Sequence, residues 1–452
     1  MLDVTFIREN PDIVRAAIKN KNREVDLERV LQLADERKKL AGDVSDINRK
    51  RNAAQDARDY EAGKTLKDEL KAAEEKYQAT EKELVSLLIK IPNIPSADTP
   101  VGPDESGNKV IRQWPDPNTA ENGGKPKFSF TPKAHWDLGK DLGIIDSEKA
   151  AEVSGARFTY LKGDLVLLQN ALVQLVLNTL TSKSEIEKII QQFNLSVDPK
   201  PFVPVNPPIM MRAQVMNRMA RLDPIDERYY FEKDDMVFIG SAEHTLGPLH
   251  MDEIIPEESL PIRYVATTPA FRREAGAAGK DTRGILRQHQ FDKSEMEVFS
   301  KPEDGLKEQE LLVAVQEYLM QQIKVPYQVV LICTGDMGFP DQRQIDIETW
   351  MPGQQPEKEG DAPGRYRETH SSDYVGGFQA RRLGTRVKRA TGEIEPVHMN
   401  DATAFAMGRT LIAILENYQN EDGSITIPEV LRKYMGGRER IEKKLKGEGQ
   451  KK

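Results

Sequence analysis

The sequence predicts an α+β protein whose strands form a mostly antiparallel sheet, preceded by a protruding hairpin of two long helices. Three observations predict this. Apolar residues recur with a heptad period early in the chain. Further on, β-rich apolar runs follow one another with few helices between them, and strands that do not alternate with helices favour antiparallel pairing. The 452 residues are enough for two or three domains with cores of their own.

The hairpin comes first. One stripe reads Val30, Leu33, Arg37, Leu40, Val44, Ile47, Arg51, Ala54, with spacings alternating between three and four. A second reads Leu66, Leu70, Ala73, Tyr77, Thr80, Leu84, Leu87, Ile91. Between them Glu61-Ala62-Gly63-Lys64 is expected to turn the chain, so that the helices pack antiparallel. At 1.5 Å per residue an arm of about 30 residues reaches roughly 45 Å. From Glu28 to Ile91 there are 14 Lys and Arg and 14 Asp and Glu. The rod is therefore neutral, yet Arg49, Lys50, Arg51 and Arg58 cluster near its tip, with Arg51 and Arg58 in seam positions. A basic tip suits a sugar-phosphate backbone. The competing reading is a dimerising or spacer coiled coil whose arginines keep their heads in water.

A stretch rich in Pro, Gly and Asp, from Ile91 to about Pro126, is expected to be a linker. Beyond it His135-Trp136-Asp137-Leu138 opens a larger unit with a helix over Leu165–Ser182. Strands are expected at Pro261–Thr268, at Ile285–Phe291, at Val325–Cys333, at Gln344–Trp350 and at Thr385–Arg389, and a final helix at Ala404–Tyr418. The tail Gly436–Lys452, with seven basic and three acidic residues, is expected to be mobile. The chain thus divides into 1–112 with the arm at about 27–91, a larger unit at 113–436, and the tail 437–452.

Composition excludes several classes. Charged residues are 31% and hydrophobic ones 38%, as in a soluble globular protein. No apolar run reaches the roughly 18 residues that span a bilayer, so no membrane partner is expected. The start of the chain has no secretory pattern. Cys333 is the only cysteine, which excludes an internal disulfide and any CxxC site, and the six histidines are scattered. A cytoplasmic location without zinc follows. The net charge of −8 argues against a globally basic nucleic-acid binder but leaves room for a local basic patch. Gly276-Ala277-Ala278-Gly279-Lys280-Asp281 lacks the spacing and hydroxyl of a Walker A loop.

Arginines in strand-like context stand out. Phe271-Arg272-Arg273-Glu274 follows one expected strand, a glycine-rich loop follows, and Arg287 lies on the next. Gly408-Arg409-Thr410 places a third arginine early in an apolar helix. A guanidinium fork on a rigid element suits planar recognition of phosphate or carboxylate.

FRREAGAAGKDTRGILRQHQFDKSE, at 271–295, resembles motif 2 of class II aminoacyl-tRNA synthetases in its seryl-tRNA synthetase form, and AFAMGRTLIAILENYQ, at 404–419, resembles motif 3. Val205-Asn206-Pro207-Pro208 falls where motif 1 would lie. CTGDMGF at Cys333–Phe339, GGFQARR at Gly376–Arg382, IPNIPSADTPVGPDESGN at Ile91–Asn108 and SGARFTYLKGD at Ser154–Asp164 are also similar to that family. The resemblance covers roughly residues 1–436. It implies a class II synthetase-like antiparallel sheet flanked by helices, with the N-terminal two-helix coiled-coil arm reaching tRNA. It further implies a homodimer that uses ATP and Mg²⁺ to activate L-serine as seryl-adenylate and passes it to tRNA(Ser), and also to tRNA(Sec).

Carried over residue by residue, Arg272 resembles the arginine that bridges the α-phosphate and the substrate carboxylate, with Arg273 beside it. Glu274 stands where adenine is read, Phe291 where it is stacked upon, and Arg287 faces phosphate. Arg409 resembles the γ-phosphate arginine. Glu368, Thr369, His370 and Ser371 match the ATP-binding segment, with Glu368 and Ser371 as metal ligands. Glu295 matches the acid that holds serine, and Ser241-Ala242-Glu243 the loop over its ammonium group. Arg272, Arg409 and Glu295 are the catalytic candidates. Arg49, Lys50, Arg51 and Arg58 are the tRNA-binding ones. His289 and His370 are expected to be structural, and Cys333 an inert core thiol.

The serine pocket departs from the family pattern. Counting back from Arg409, the family's His-Thr-Leu-Asn-Gly-Ser falls on His398-Met399-Asn400-Asp401-Ala402-Thr403. Asp401 replaces an asparagine and Thr403 a serine; Asp401 is expected to point away or pair with a cation while Thr403 lines the pocket. The rivals to a working serine–tRNA ligase are a non-catalytic paralogue binding tRNA or protein, a ligase that loads a carrier protein, and a synthetase with altered amino-acid choice. The retained arginines and acids oppose the first, and the full arm opposes the second.

Overall fold

The computed structural model describes residues 1–275, 281, 283–356 and 363–443. Two arm helices, α1 (Leu27–Asp56) and α2 (Tyr60–Leu88), follow two short helices, Val4–Glu9 and Pro11–Asn20. Each arm helix is capped by an aspartate: Asp26 accepts from the Arg29 N–H and Asp59 from the Ala62 N–H. All sixteen residues of the two heptad stripes are buried or partly covered, while most residues between them are exposed, so the stripes are the seam. Arg37 tolerates its seam position by pairing with Glu81 across the hairpin at 3.2 Å.

The turn lies earlier than expected. Ala57, Arg58 and Asp59 reverse the chain, and Glu61-Ala62-Gly63-Lys64 forms the first turns of α2. Arg58 has φ 58° at the apex, so it holds no seam position. The capping aspartate at 59 explains the shift, because a good N-cap outweighs a helical glycine at 63.

The arm is rooted in the body. Leu27, Val30, Leu33, Leu84, Leu88 and Ile91 share a buried cluster with Val375 and Phe378 of the larger unit. Buried Lys21 donates from Nζ to the carbonyls of Gly338 and Asp341, at 3.1 and 2.6 Å. The expected linker also gives way to structure, since Lys109–Trp114 forms an edge strand of the main sheet. The boundary at 112 falls inside that strand. Its alternation is obscured because Lys109, Val110, Ile111 and Arg112 are all exposed.

That sheet has eight strands: β1 (Lys109–Trp114), β2 (Val203–Pro204), β3 (Ile262–Phe271), β4 (Gln290–Ser300), β5 (Tyr327–Leu331), β6 (Arg343–Met351), β7 (Arg365–Gly376) and β8 (His398–Ala406). The spatial order is β1-β5-β6-β7-β8-β4-β3-β2, antiparallel except where β2 runs parallel to β3. One face packs on α3 (Asp164–Leu180), α4 (Gly305–Gln322) and α5 (Met407–Asn417) around the largest hydrophobic cluster.

Four expectations about elements change. Ile285–His289 is not strand, and β4 begins only at Gln290. Gly284 has φ 71°, a Cβ there would lie 1.9 Å from Nε2 of buried His135, and that nitrogen accepts the Ile285 N–H at 3.1 Å. The segment is thus tied to His135 rather than to a neighbouring strand. Ala404–Ala406 ends β8, and the last helix starts at Met407. Thr385–Arg389 contributes only a short strand to a separate three-stranded sheet. Arg440–Ile441 of the expected tail pairs with Ile425–Thr426; residues 444–452 lie outside the described ones, as do 276–280 and 282 of the glycine-rich loop. Among the described residues no single helix is long and apolar enough to cross a membrane.

Candidate active site

The sheet's other face carries a cavity of about 330 Å³. Side chains on a strand alternate between faces, so β4 presents Phe291, Lys293 and Glu295 to the cavity and β8 presents Asp401 and Thr403. On β7, Ser371 and Asp373 face it too. Strict alternation would turn Glu368 away. The register shifts by one residue between the pairs His370–Ile347 and Glu368–Glu348, and this bulge returns Glu368 to the cavity side. A second irregularity, opposite Ser294 and Glu295, lets Ala406 follow Thr403 along the wall before α5 delivers Arg409.

One end of the cavity is acidic. Lys293 Nζ lies 2.6 Å from a Glu295 oxygen, 3.9 Å from Glu243, and donates to the Ser241 hydroxyl at 3.0 Å. Burial pushes the Glu295 carboxyl up to about 7, against the pull of Lys293. Burial also acts to raise Glu243, but Arg221 and then Lys293 overcome it and hold that carboxyl well below the usual range. Asp401 faces two acids across the ladder, Glu297 on β4 and Asp373 on β7. Burial, then the charges of Glu243 and Asp373, push Asp401 well above its ordinary range. Of the two courses expected for Asp401, it does not point away but pairs with a cation. It lines the cavity, 3.6 Å from the Arg221 guanidinium, beside Thr403.

The other end is basic. Arg272 donates from Nε to the Gly240 carbonyl at 3.1 Å and stands 5.6 Å over the Phe291 ring. Arg287 pairs with Glu274 at 3.3 Å and Asp281 at 3.1 Å. Arg409 pairs with Glu368 at 2.8 Å. Burial acts to raise Glu368, yet Arg409 and then Arg272 bring it below its ordinary range. These salt-bridged forks can exchange a carboxylate for the oxygens of a polyphosphate.

Arg272, Glu274, Arg287, Phe291, Glu295, Glu243, Glu368, Thr369, Ser371, Asp401, Thr403 and Arg409 thus come together in one wall. Arg273, Ser241, Ala242 and His370 do not. Arg273 stacks 5.7 Å over Tyr229. Ala242 is wholly buried, and Ser241 sits behind Lys293. His370 lies on the opposite face of β7 against Phe405, with Nδ1 2.8 Å from the Thr369 hydroxyl. His289 donates from Nδ1 to the Arg272 carbonyl at 3.0 Å, a structural role as expected. Cys333 is buried just beyond β5, not within it. At the arm tip Arg49, Lys50 and Arg58 are exposed, Arg51 is partly covered, and Arg49 lies 3.0 Å from Asp46.

Sequence reasoning missed Arg221, Lys293, Asp341 and Asp373, all of which line the cavity. The alternation Lys293-Glu295-Glu297 was the available signal, since three charges on one face of a strand are rare unless that face is a site. Arg221 carries no local signal.

Two sets of side chains could receive a cation. Oxygens of Glu243, Glu295 and Asp401 lie within 4.8 Å of one another. Lys293 and Arg221 offset only part of their charge, so the three acids leave room for one ammonium group or a metal. Glu368 and Ser371 offer hard oxygen donors on one face of β7, the donor type Mg²⁺ prefers. Ser371 is held in place by donating to Asp346 at 2.7 Å.

Two family models match the chain: the seryl-tRNA synthetase N-terminal domain over residues 1–95, and the class II tRNA synthetase core domain (G, H, P, S and T) over 229–418. A serine–tRNA ligase of Symbiobacterium thermophilum is 38% identical over 447 residues, covering 96% of this chain and 98% of that one. Seryl-tRNA synthetase from Pyrococcus horikoshii, crystallised with ATP, superposes with a TM-score of 0.85 at 34% identity, covering 98% of this chain and all of the other. The cytoplasmic serine–tRNA ligase of Naegleria fowleri, in complex with AMP, gives 0.82 at 29% identity, covering 98% and 99%. With the arm, the antiparallel sheet and the two-ended cavity in place, this chain belongs to the seryl-tRNA synthetase family of class II aminoacyl-tRNA synthetases.

Proposed function

We propose that the cavity activates serine with ATP and that the arm presents tRNA(Ser) to it, with tRNA(Sec) as a second acceptor. The observation that carries this is one cavity joining an acidic end to a basic end. Glu295 and Glu243 at the acidic end suit the amino acid's ammonium group, which requires a carboxylate partner once desolvated. Arg272, at the basic end but with its charge acting on Glu243 as well as on Glu368, spans the substrate carboxylate and the α-phosphate. Phe291 stacks on adenine while Glu274 reads its amino group, and Arg287 and Arg409 take the outer phosphates. Glu368 and Ser371 are the residues that would hold Mg²⁺, which neutralises phosphate charge.

In the first step the serine carboxylate attacks the α-phosphorus and pyrophosphate leaves. No general base is needed, because the nucleophile is already an anion. Catalysis then consists of positioning two anions in line and cancelling their repulsion, which is what the arginines do. In the second step a terminal hydroxyl of the tRNA attacks the adenylate carbonyl, and AMP leaves. The arm at about 27–91 serves tRNA and the unit 113–436 carries the chemistry, as a homodimer in the cytoplasm in which one subunit's arm serves its partner's active site.

ATP–pyrophosphate exchange with each amino acid tests the reading. Serine-dependent exchange is the expected result; exchange with another amino acid alone overturns the substrate, and none with any overturns the activity.

A further inference from the structure

At the acidic end of the cavity lies an ion cluster of which the adenylation chemistry described above uses only Glu243. The Arg221 guanidinium is 3.6 Å from Glu243, Asp341, Asp373 and Asp401. Asp373 and Asp401 lie on sheet strands, Glu243 opens a short helix and Asp341 sits in a loop, so the four meet only in the folded chain. Glu297, Asp401 and Asp373 sit directly opposite one another on three adjacent strands, an arrangement of like charges that is unfavourable unless compensated. Arg221 supplies the compensation, together with buried Lys21, whose Nζ donates to the Asp341 carbonyl. The Arg221 backbone is fixed, since its N–H reaches the Met216 carbonyl at 3.2 Å and its own carbonyl accepts from Arg228 Nε at 2.8 Å.

The guanidinium is centred among its acids rather than forked onto one. Its Nε and Nη2 are buried and make no hydrogen bond, and neither does Asp341 Oδ1. Buried donors without acceptors are unfavourable. Arg221 and Asp401 both border the cavity, so a side chain entering there meets a guanidinium that donates and a carboxyl oxygen that accepts. A hydroxyl can accept the one and donate to the other, an ammonium can only donate, and a methyl can do neither.

We propose that Arg221 is a specificity-determining residue of the amino-acid pocket: as the shared counter-ion of Glu243, Asp341, Asp373 and Asp401, it selects a small side chain bearing a hydroxyl over one bearing a second ammonium group. This rests on the cavity being the amino-acid pocket. Without Arg221 the acidic floor favours a cationic side chain; with it, that cation is repelled.

The test measures ATP–pyrophosphate exchange at saturating ATP with serine, 2,3-diaminopropionate and alanine. In Arg221→Met the serine KM rises at least about tenfold with kcat changed less, and the kcat/KM preference for serine over diaminopropionate falls at least about tenfold. Arg221→Lys keeps that preference within about threefold of the wild type, because the charge remains. Adding Asp401→Asn to Arg221→Met restores part of it. Should Arg221→Met not fold, Arg221→Gln provides the same neutral comparison. A folded neutral variant with an unchanged serine-to-diaminopropionate ratio, or an equal loss with every amino acid, overturns the inference. Serine-dependent exchange by the wild type separates the two levels: its absence overturns both this inference and the functional reading, whereas an unmoved ratio beside it overturns this inference alone.

Discussion

The arm tip and the cavity both concentrate charge, in opposite environments. At the tip Arg49, Lys50 and Arg58 stand in solvent, and among the described residues only Arg49 of these three forms an ion pair, with Asp46. In the cavity Lys293, Glu243, Glu295 and Asp401 are buried and crowd together with a mostly covered Arg221. Water and salt screen each tip charge, so it acts through the long-range field and through number. Desolvation strengthens each cavity charge, which therefore acts through position. The tip should behave as an additive, salt-dependent surface, and the cavity as a coupled unit in which geometry matters more than net charge.

The largest effect expected from this contrast is at Arg272. Arg272→Lys retains a charge but loses the fork that spans carboxylate and phosphate. Serine-dependent pyrophosphate exchange should fall at least 10²-fold, about 2.7 kcal/mol. Near-normal exchange would make the cavity as indifferent to geometry as the tip.

Shortening the arm sharpens the division of labour. Removing all of Asp26–Ile91 would strip Leu27, Val30, Leu33, Leu84 and Leu88 from a core shared with the body. The cut belongs beyond the Arg37–Glu81 pair, replacing residues 38–80 by a short turn. Exchange should stay within about threefold of the intact protein, while charging of tRNA should fall by at least about 10²-fold. A folded variant that loses both would merge the two regions into one functional unit.

A smaller effect should come from neutralising Arg49, Lys50, Arg51 and Arg58 together. The dependence of log tRNA affinity on log salt should flatten by roughly two to four units, at about 0.7–0.9 per lost phosphate contact. An unchanged slope would leave the tip as a solvated end of a coiled coil.

The smallest effect is expected at Asp401. Asp401→Asn relieves repulsion with Glu297 and Asp373 while keeping the side chain's size. With Arg221 intact, discrimination between serine and alanine should change by less than about tenfold, or 1.4 kcal/mol. A larger change would mean that Asp401, and not the Arg221 cluster as a whole, reads the side chain.

The arm was legible because its information is local. A seam spaced by three and four residues needs no knowledge of any other segment, and all sixteen stripe positions are partly or fully covered. Only the turn was misplaced, by a capping interaction at Asp59 that competes with the glycine signal. The acids and arginines of motifs 2 and 3 were legible through their resemblance to a family, not through periodicity. Strands β7 and β8 were not recognised, because the pocket interrupts their apolar pattern with charged and hydroxyl residues such as Asp373, Asp401 and Thr403.

By itself the sequence determined the helical arm, the antiparallel α+β class and which arginines and acids resemble those of the family. It could do so because helix periodicity and a conformationally rigid fork are properties of short segments. Tertiary structure alone decided the rest. A bulge at one residue returned Glu368 to the face of Ser371. Folding of the sheet set Glu297, Asp401 and Asp373 in one row, and a loop far away in sequence placed Arg221 against it. Charges interact through space, with energies set by distance and burial, and neither quantity is written along the chain.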